Sequence, residues 1–305
     1  MRIYLIGMPG SGKTKIGKEL SKILNYKNYD IDNEIIKNYN LSINEIFNKY
    51  GEEEFRKIET KYLKDSLEYN NIIISTGGGT ILNENNHKYF KGIIIYLNSN
   101  INTLKDRLKK DQVIRPLLKT KKIEKIYEER KDIYKQYSNI EIDSNKDIND
   151  IIYEILRKIK KNILVINGPN LNMLGQRDKN VYGSITLEEI NKNMTKIEPL
   201  FNLTFIQTNH EGEIVDILNK YYKYHGIIIN PAAFTHYSIA IRDALEIIKI
   251  PKVEVHLSDI NNREDFRKIN YIKDVCDIQF QNEKENGYYK AINYLINTLY
   301  KEYLK

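Results

Sequence analysis

Short apolar runs and longer amphipathic stretches alternate along the whole chain. Arg2 to Ile6, Ile72 to Ser75 and Gly92 to Leu97 are runs of strand length, while apolar residues at helical spacing run from about Lys13 to Leu24 and again from about Asn102. Uninterrupted apolar runs interleaved with helices predict strands buried on both faces of a parallel sheet. From Asp147 to Lys161 the apolar positions 148, 151, 152, 155, 156 and 159 fall at helical spacing, and the segment closes on Lys158, Lys160 and Lys161. Basic residues suit the negative end of a helix, so this reads as the last helix of a first unit. A fresh strand begins at Asn162 and the alternation restarts, with strand-like runs near 203 to 207, 226 to 230 and 252 to 257. The pattern predicts an α/β protein of two domains, 1–161 and 162–305, with no Gly/Ser- or Pro-rich linker between them.

Composition supports two packed cores: the chain has 305 residues, more than one core usually spans, and 41% of them are hydrophobic. The 24 tyrosines and the excess of Ile, Asn and Lys mean that a single Tyr or Asn carries weight only inside a motif. Charge is shared unevenly. Residues 1 to 162 hold 31 basic and 23 acidic side chains, residues 163 to 305 hold 17 and 18, and the net charge is +7. The basic half should therefore handle anions. Its cations are interspersed with Glu and Asp and match no nucleic-acid module, which favours a phosphate-rich small molecule over a nucleic acid. The single Cys276 excludes an intramolecular disulfide and a cysteine-cluster metal site. No signal segment precedes the first glycine motif and no apolar run approaches about 18 residues, so the expectation is a soluble, cytoplasmic protein with no membrane contact.

The first chemical motif is Gly7-Met-Pro-Gly10-Ser11-Gly12-Lys13-Thr14, which follows a strand-like run and opens a helical one. In that context G-x-x-x-x-G-K-[ST] is a phosphate cradle: glycines let backbone N–H groups face phosphate, Lys13 neutralises β/γ oxygens, and Thr14 can ligate Mg²⁺. The cradle names no acceptor, because the same loop serves kinases, GTPases and motors; ATP with Mg²⁺ follows from the resemblance below. Asp30-Ile-Asp32, Gly51 to Arg56, Thr76-Gly77-Gly78-Gly79 and Ile114-Arg115-Pro-Leu-Leu118 follow in order, with Arg130 in a later helix.

Together these motifs resemble shikimate kinase across nearly all of residues 1 to 160, and the resemblance implies a P-loop kinase-like fold. It assigns Asp32 to the acceptor hydroxyls, Asp30 to support of Mg²⁺, and Arg56 and Arg130 to a carboxylate clamp. Gly77, Gly78 and Gly79 would let the backbone approach the ring. Arg115 would sit in a lid and stabilise the transferring phosphoryl group, and Arg107 would contact the adenine. Taken singly, an arginine on a helix is usually solvated and Asp30 or Asp32 could simply cap the helix starting near Asn33.

In the second half a strand leads into Gly168-Pro-Asn170, Arg177 and Tyr182-Gly183, a loop long enough between strand and helix to suggest function. Asn209-His-Glu211, Asn230 to His236, Glu254-Val-His256-Leu257-Ser258 and Arg263 to Arg267 follow. These motifs resemble type II 3-dehydroquinate dehydratase over residues 162 to 305. The resemblance implies a flavodoxin-like parallel sandwich, loss of water through an enolate and no cofactor. Such chemistry requires a base, an acid and donors for enolate and carboxylate. Tyr182 would be the base, and a phenol needs a cation such as Arg177 to act near neutrality. Asn170 would hold an enolate-stabilising water. Asn230, His256 and Arg267 would grip ring hydroxyls, the backbone at Leu257 and Ser258 the carboxylate, and Arg263 would be a second contact. His236 is the preferred proton donor with His256 the alternative, and Glu254 would tune one of the two.

Asp178-Lys179 and Asp259 depart from the family pattern, which bears on the lid and on substrate affinity. A lysine Schiff-base barrel needs about 200 residues or more, beyond what remains after residue 161. The reading is a bifunctional enzyme that phosphorylates shikimate and dehydrates 3-dehydroquinate, with the family's pattern implying a homo-oligomer, a dodecamer, built on the second half. Two alternatives stay open: a kinase for another polyol acid, or one half serving as a non-catalytic assembly module.

Overall fold

The computed structural model describes residues 1–111, 118, 121–177, 182–262 and 264–304. Two compact units emerge, residues 1–158 with 303–305, and residues 159–302.

The first unit is built on five parallel strands, β1 (Arg2–Ile6), β2 (Lys27–Asp30), β3 (Ile72–Ser75), β4 (Ile93–Asn98) and β5 (Ile140–Asp143), in the order β2-β3-β1-β4-β5. The central strand β1 pairs Arg2 with Ile72 on one side and Ile3 with Ile93 on the other. Both faces of β1 and β3 are covered, which is why these strands read as continuous rather than alternating apolar runs. Helices α1 (Lys13–Leu24), α2 (Ile31–Tyr39), α3 (Ile43–Asp65), α4 (Ile101–Lys110), α5 (Ile123–Tyr137) and α6 (Ile148–Ile159) supply the layers. Their starts follow capping chemistry. Asp30 caps α2, Ser42 and Glu45 form a reciprocal capping box on α3, and Asn100 caps α4. Gly51 breaks α3 with φ 80°.

The second unit has its own five parallel strands, β6 (Lys161–Asn167), β7 (Phe201–Gln207), β8 (Gly226–Asn230), β9 (Lys252–Val255) and β10 (Ile278–Phe280), in the order β10-β9-β8-β6-β7. Counted within the unit this is the 2-1-3-4-5 order of a flavodoxin-like sheet, whose topological switch lies between its first and third strands, here β6 and β8. Helices α7 (Leu187–Ile197), α8 (Glu211–Leu218), α9 (Ile239–Ile247), the single turn α10 (Asp265–Lys268) and α11 (Asn286–Leu299) complete it. No helix among the described residues is long and apolar enough to cross a membrane.

Several boundaries differ from the sequence expectation. Lys161 opens β6 instead of closing α6, because its N–H bonds Leu200 O at 2.9 Å and the ladder to β7 begins there. The strand expected over 252 to 257 leaves the ladder after Val255, where the chain turns toward a pocket. Strands β2 and β5 were not anticipated: KNYD and IEID are half polar, as suits strands at the two edges of a sheet.

Candidate active sites

At the carboxyl ends of the first sheet's strands lies a cavity of about 660 Å³, lined by Gly10, Gly12, Lys13, Thr14, Asp30, Asp32, Arg56, Gly77 to Gly79, Arg107 and Arg130 among others. Gly12, at φ 94°, takes a backbone conformation that glycine adopts without strain and starts α1, whose orphan N–H groups make an anion site. The Lys13 ammonium donates to Gly7 O and Met8 O, both at 2.9 Å, while Ser11 is fully buried beneath the turn. Thr14 Oγ1 donates to Asp30 Oδ2 at 2.6 Å, and Asp30 Oδ1 accepts from Asn33 N at 3.1 Å. Asp30 therefore caps α2 with one oxygen and meets Thr14 of the cradle with the other.

Across the cavity, Arg56 donates to Glu59 Oε2 at 2.5 Å and to Glu52 Oε1 at 3.0 Å. Burial disfavours the Arg56 charge, but Glu59 and Glu52 outweigh it and hold the guanidinium above its ordinary pKa. A Cβ on Gly79 would fall 2.4 Å from Arg56 Nη1, so glycine is required for the arginine to lie there. Gly78 O accepts from Arg130 Nη1 at 3.0 Å and from the Tyr134 hydroxyl at 2.5 Å. Burial pushes the Tyr134 hydroxyl up to about 12, which keeps it a donor. The glycine run thus carries an arginine on either side. Arg107 Nη2 donates to Ser144 O at 2.8 Å, tying α4 to the turn after β5. An anion cradle, two guanidinium groups and the Asp32 carboxylate in one cavity suit transfer of a phosphoryl group to a hydroxyl on an acid.

The second unit has a smaller cavity of about 120 Å³, near the switch between β6 and β8. Asn170, Arg177, Tyr182, Asn230, His236, His256, Leu257, Ser258 and Arg267 all line it. The Arg177 guanidinium carbon lies 3.7 Å from the Tyr182 ring centroid, a cation–π contact that holds the two side chains together. His256 and Glu254 are buried, and the His256 ring bonds Glu254 Oε1 through Nε2 at 2.5 Å. His236 instead meets the backbone, its Nδ1 lying 2.8 Å from Ile269 O. Asn230 is held by Tyr288: Asn230 Nδ2 donates to the Tyr288 hydroxyl at 3.0 Å, and that hydroxyl donates to Asn167 Oδ1 at 2.5 Å. Asn170, with φ 63°, accepts no cap but fixes its N–H on Asn209 Oδ1 at 3.0 Å.

The profile of the shikimate kinase family matches residues 9–160, and that of class II dehydroquinases matches residues 161–296. A 3-dehydroquinate dehydratase of Thermotoga petrophila is 49% identical over 141 residues, covering 44% of this chain and 93% of that protein. Its counterpart in Clostridium botulinum is 48% identical over 145 residues, 46% of this chain and 98% of that protein. A solved shikimate kinase from Acinetobacter baumannii, in complex with shikimate, is 32% identical, covers 52% of this chain with 92% of its own length, and superposes with a TM-score of 0.50.

The chain belongs to both families. Its kinase half brings the predicted cradle, Asp30, Asp32, Arg56, Arg107, Arg130 and the glycine run to one cavity, and family membership makes ATP its phosphoryl source. Its dehydroquinase half gathers the predicted loop, asparagine, histidine and Arg267 positions around another. Arg115 and Arg263 lie outside the described residues, as do Asp178 and Lys179.

Four side chains escaped the sequence reading. Glu59 bonds both Arg56 and Thr80, and its signal was the three-residue step from Arg56 along one helix face. Tyr134, Tyr288 and Asn167 carry no local signal in a chain with 24 tyrosines and an excess of asparagine. Glu254 was expected to tune one histidine, and it pairs with His256.

Proposed function

We propose that this chain carries out two separate reactions on cyclic hydroxy acids: ATP-dependent phosphorylation of shikimate in the first unit, and dehydration of 3-dehydroquinate to 3-dehydroshikimate in the second. The observation that carries the reading is the presence, in one chain, of a P-loop cavity clamped by Arg56 and Arg130 and a second pocket joining Tyr182, Arg177 and a carboxylate-paired histidine. The reactions are not consecutive, since a ketone must be reduced between them, so direct transfer of product is not implied. The boundary between the activities is proposed to fall between Ile159 and Asn162, where α6 gives way to β6.

In the kinase unit, Asp32 orients the acceptor hydroxyl and receives its proton, Arg56 and Arg130 bind the carboxylate, and Arg107 contacts the base of the nucleotide. Lys13 and the amides at the start of α1 hold the phosphates, with Gly7, Gly10, Ser11 and Gly12 shaping the turn, and Arg115 acts on the transferring group from the lid. Thr14 and Asp30 offer oxygen donors 2.6 Å apart, the ligand type that Mg²⁺ prefers. The ion would supply charge neutralisation on the phosphates.

In the dehydroquinase unit, Tyr182 removes the proton beside the ketone, helped by the guanidinium of Arg177. Asn170 holds the water that faces the enolate oxygen. Asn230 and Arg267, with Arg263, hold the ring, and the backbone at Leu257 and Ser258 binds the carboxylate. The remaining step gives a proton to the departing hydroxide. Support for His256 in that step comes from its buried Glu254 partner, because a carboxylate stabilises the imidazolium that must form before the proton is given up. His236, on a backbone carbonyl, is assigned to binding. This exchanges the roles that the sequence alone suggested. His256→Asn is expected to lower kcat with little change in KM and His236→Asn to raise KM; the opposite pattern returns the proton to His236.

Two assays on one purified sample test the whole reading: enone absorbance from 3-dehydroquinate, and ADP release with shikimate and Mg-ATP. Both signals are expected. ADP release that shikimate does not stimulate would point to another polyol acid, and absence of either signal would leave that half a non-catalytic module. A homo-oligomer, a dodecamer at its largest, is proposed for the second unit. The exposed Tyr237, Ile239, Phe266 and Ile269 support this, and a monomer by light scattering would reject it. Use of ATP and the single cysteine fit work in the cytoplasm.

A further inference from the structure

Between α10 and β10 the chain reaches one pocket histidine directly and the carboxylate partner of the other within two residues. Ile269 O lies 2.8 Å from His236 Nδ1, and Asn270 Nδ2 donates to Glu254 Oε1 at 2.8 Å, the same oxygen that His256 Nε2 reaches at 2.5 Å. Tyr271 N then bonds Thr235 O at 3.1 Å, fastening this segment beside His236.

The direction of each bond follows from chemistry. Asn270 Oδ1 accepts from Ile272 N at 3.0 Å and Lys273 N at 3.1 Å, so its amide cannot be turned round and its NH₂ must face Glu254. Glu254 Oε1 therefore accepts from Asn270, and as a carboxylate oxygen it accepts from the ring as well. His256 must then present Nε2–H to it, which leaves Nδ1 as the ring atom able to take up or release a proton. A carbonyl only accepts, so His236 is fixed in the opposite sense, with Nδ1–H toward Ile269.

We infer that Asn270 is a positioning residue of the dehydratase, holding Glu254 so that the carboxylate keeps His256 in the Nε2–H tautomer and leaves Nδ1 for the proton of the reaction. Among the described residues Asn270 does not line the pocket; it acts through Glu254, which is fully buried and whose Oε2 has no hydrogen-bond partner among those residues. Among the described residues two donors reach that carboxylate, so losing Asn270 leaves the His256 ring to orient it. The inference rests on the assignment of His256 as the proton donor.

Asn270→Asp separates this role from a structural one. The new carboxylate keeps an acceptor for Ile272 N and Lys273 N but replaces the donor to Glu254 with an oxygen. In the full-length chain, Asn270→Asp is expected to lower kcat for dehydration about 10- to 100-fold, by analogy with the loss of hydrogen-bond partners that orient metal-binding imidazoles, with KM within about threefold and kinase activity unchanged. The ¹⁵N shifts of the His256 ring should move away from the Nε2–H pattern in the same variant. If Asn270→Asp keeps the wild-type kcat and ring shifts while Asn270→Ala loses activity, Asn270 only caps the turn and the inference is wrong. Glu254→Gln separates the two levels: unchanged kcat there removes the His256 reading and this inference with it, whereas a loss there with a normal Asn270→Asp removes the Asn270 role alone.

Discussion

At Gly79 a single hydrogen decides where a guanidinium can lie. A methyl group there would meet Arg56 at 2.4 Å, and the arginine is already held from behind by Glu59 and Glu52. Gly79→Ala is therefore expected to push Arg56 out of line and raise the shikimate KM about 10- to 100-fold, since displacements near 1 Å reach that size. Steady-state kinetics with and without saturating ATP would check it, and dehydration should be untouched. The contiguous motifs were legible because backbone conformation favours their residue types: glycine takes φ 94° at Gly12 without strain, and Lys13 one residue later reaches the carbonyls of the turn. Glu59 had only its three-residue step from Arg56 to mark it, while Tyr134 and Tyr288 reach the site across the fold from helices whose sequences read as ordinary.

Among the elements, the long apolar runs gave up their positions readily and the edges did not. Buried β1, β3 and β8 have the extents expected from their isoleucine-rich runs, while β2 and β5 pair on one side only and tolerate Lys27, Asn28 and Glu141. Caps set the helix starts. Ser42→Ala, which breaks the capping box of α3, is expected to lower the stability of the kinase unit by about 1 kcal/mol in urea denaturation. The buried tyrosines of the first unit add a dependence on pH. Burial raises Tyr4, Tyr29, Tyr96 and Tyr134, the last to about 12. Each folded-state value lies above its unfolded one, so the native state holds these protons more tightly. Stability is then retained below pH 10 and lost as pH rises toward 12. Tyrosinate absorbance and circular dichroism followed together should show ionisation and loss of structure as one event; ionisation of all tyrosines in a folded unit would contradict this account.

For the molecule as a whole, the two pockets belong to different compact units and share none of their lining residues. Lys13→Ala is expected to abolish ADP release and leave enone formation intact, and Tyr182→Phe to do the reverse; loss of both activities in either variant would mean the units depend on each other. The dehydroquinase pocket also has a schedule. Its Asn230 amide is steadied by Tyr288, and Tyr288 bonds Asn167 from 121 positions further along the chain. As the polypeptide leaves the ribosome, amino end first, the kinase sheet can close while the second unit is still being made. The asparagines of β6 and β8 must wait for α11 to bring the hydroxyl that locks them. A ribosome stalled before residue 288 would thus display a working kinase tethered to an unfinished dehydratase, which makes α11 a timer for the second activity.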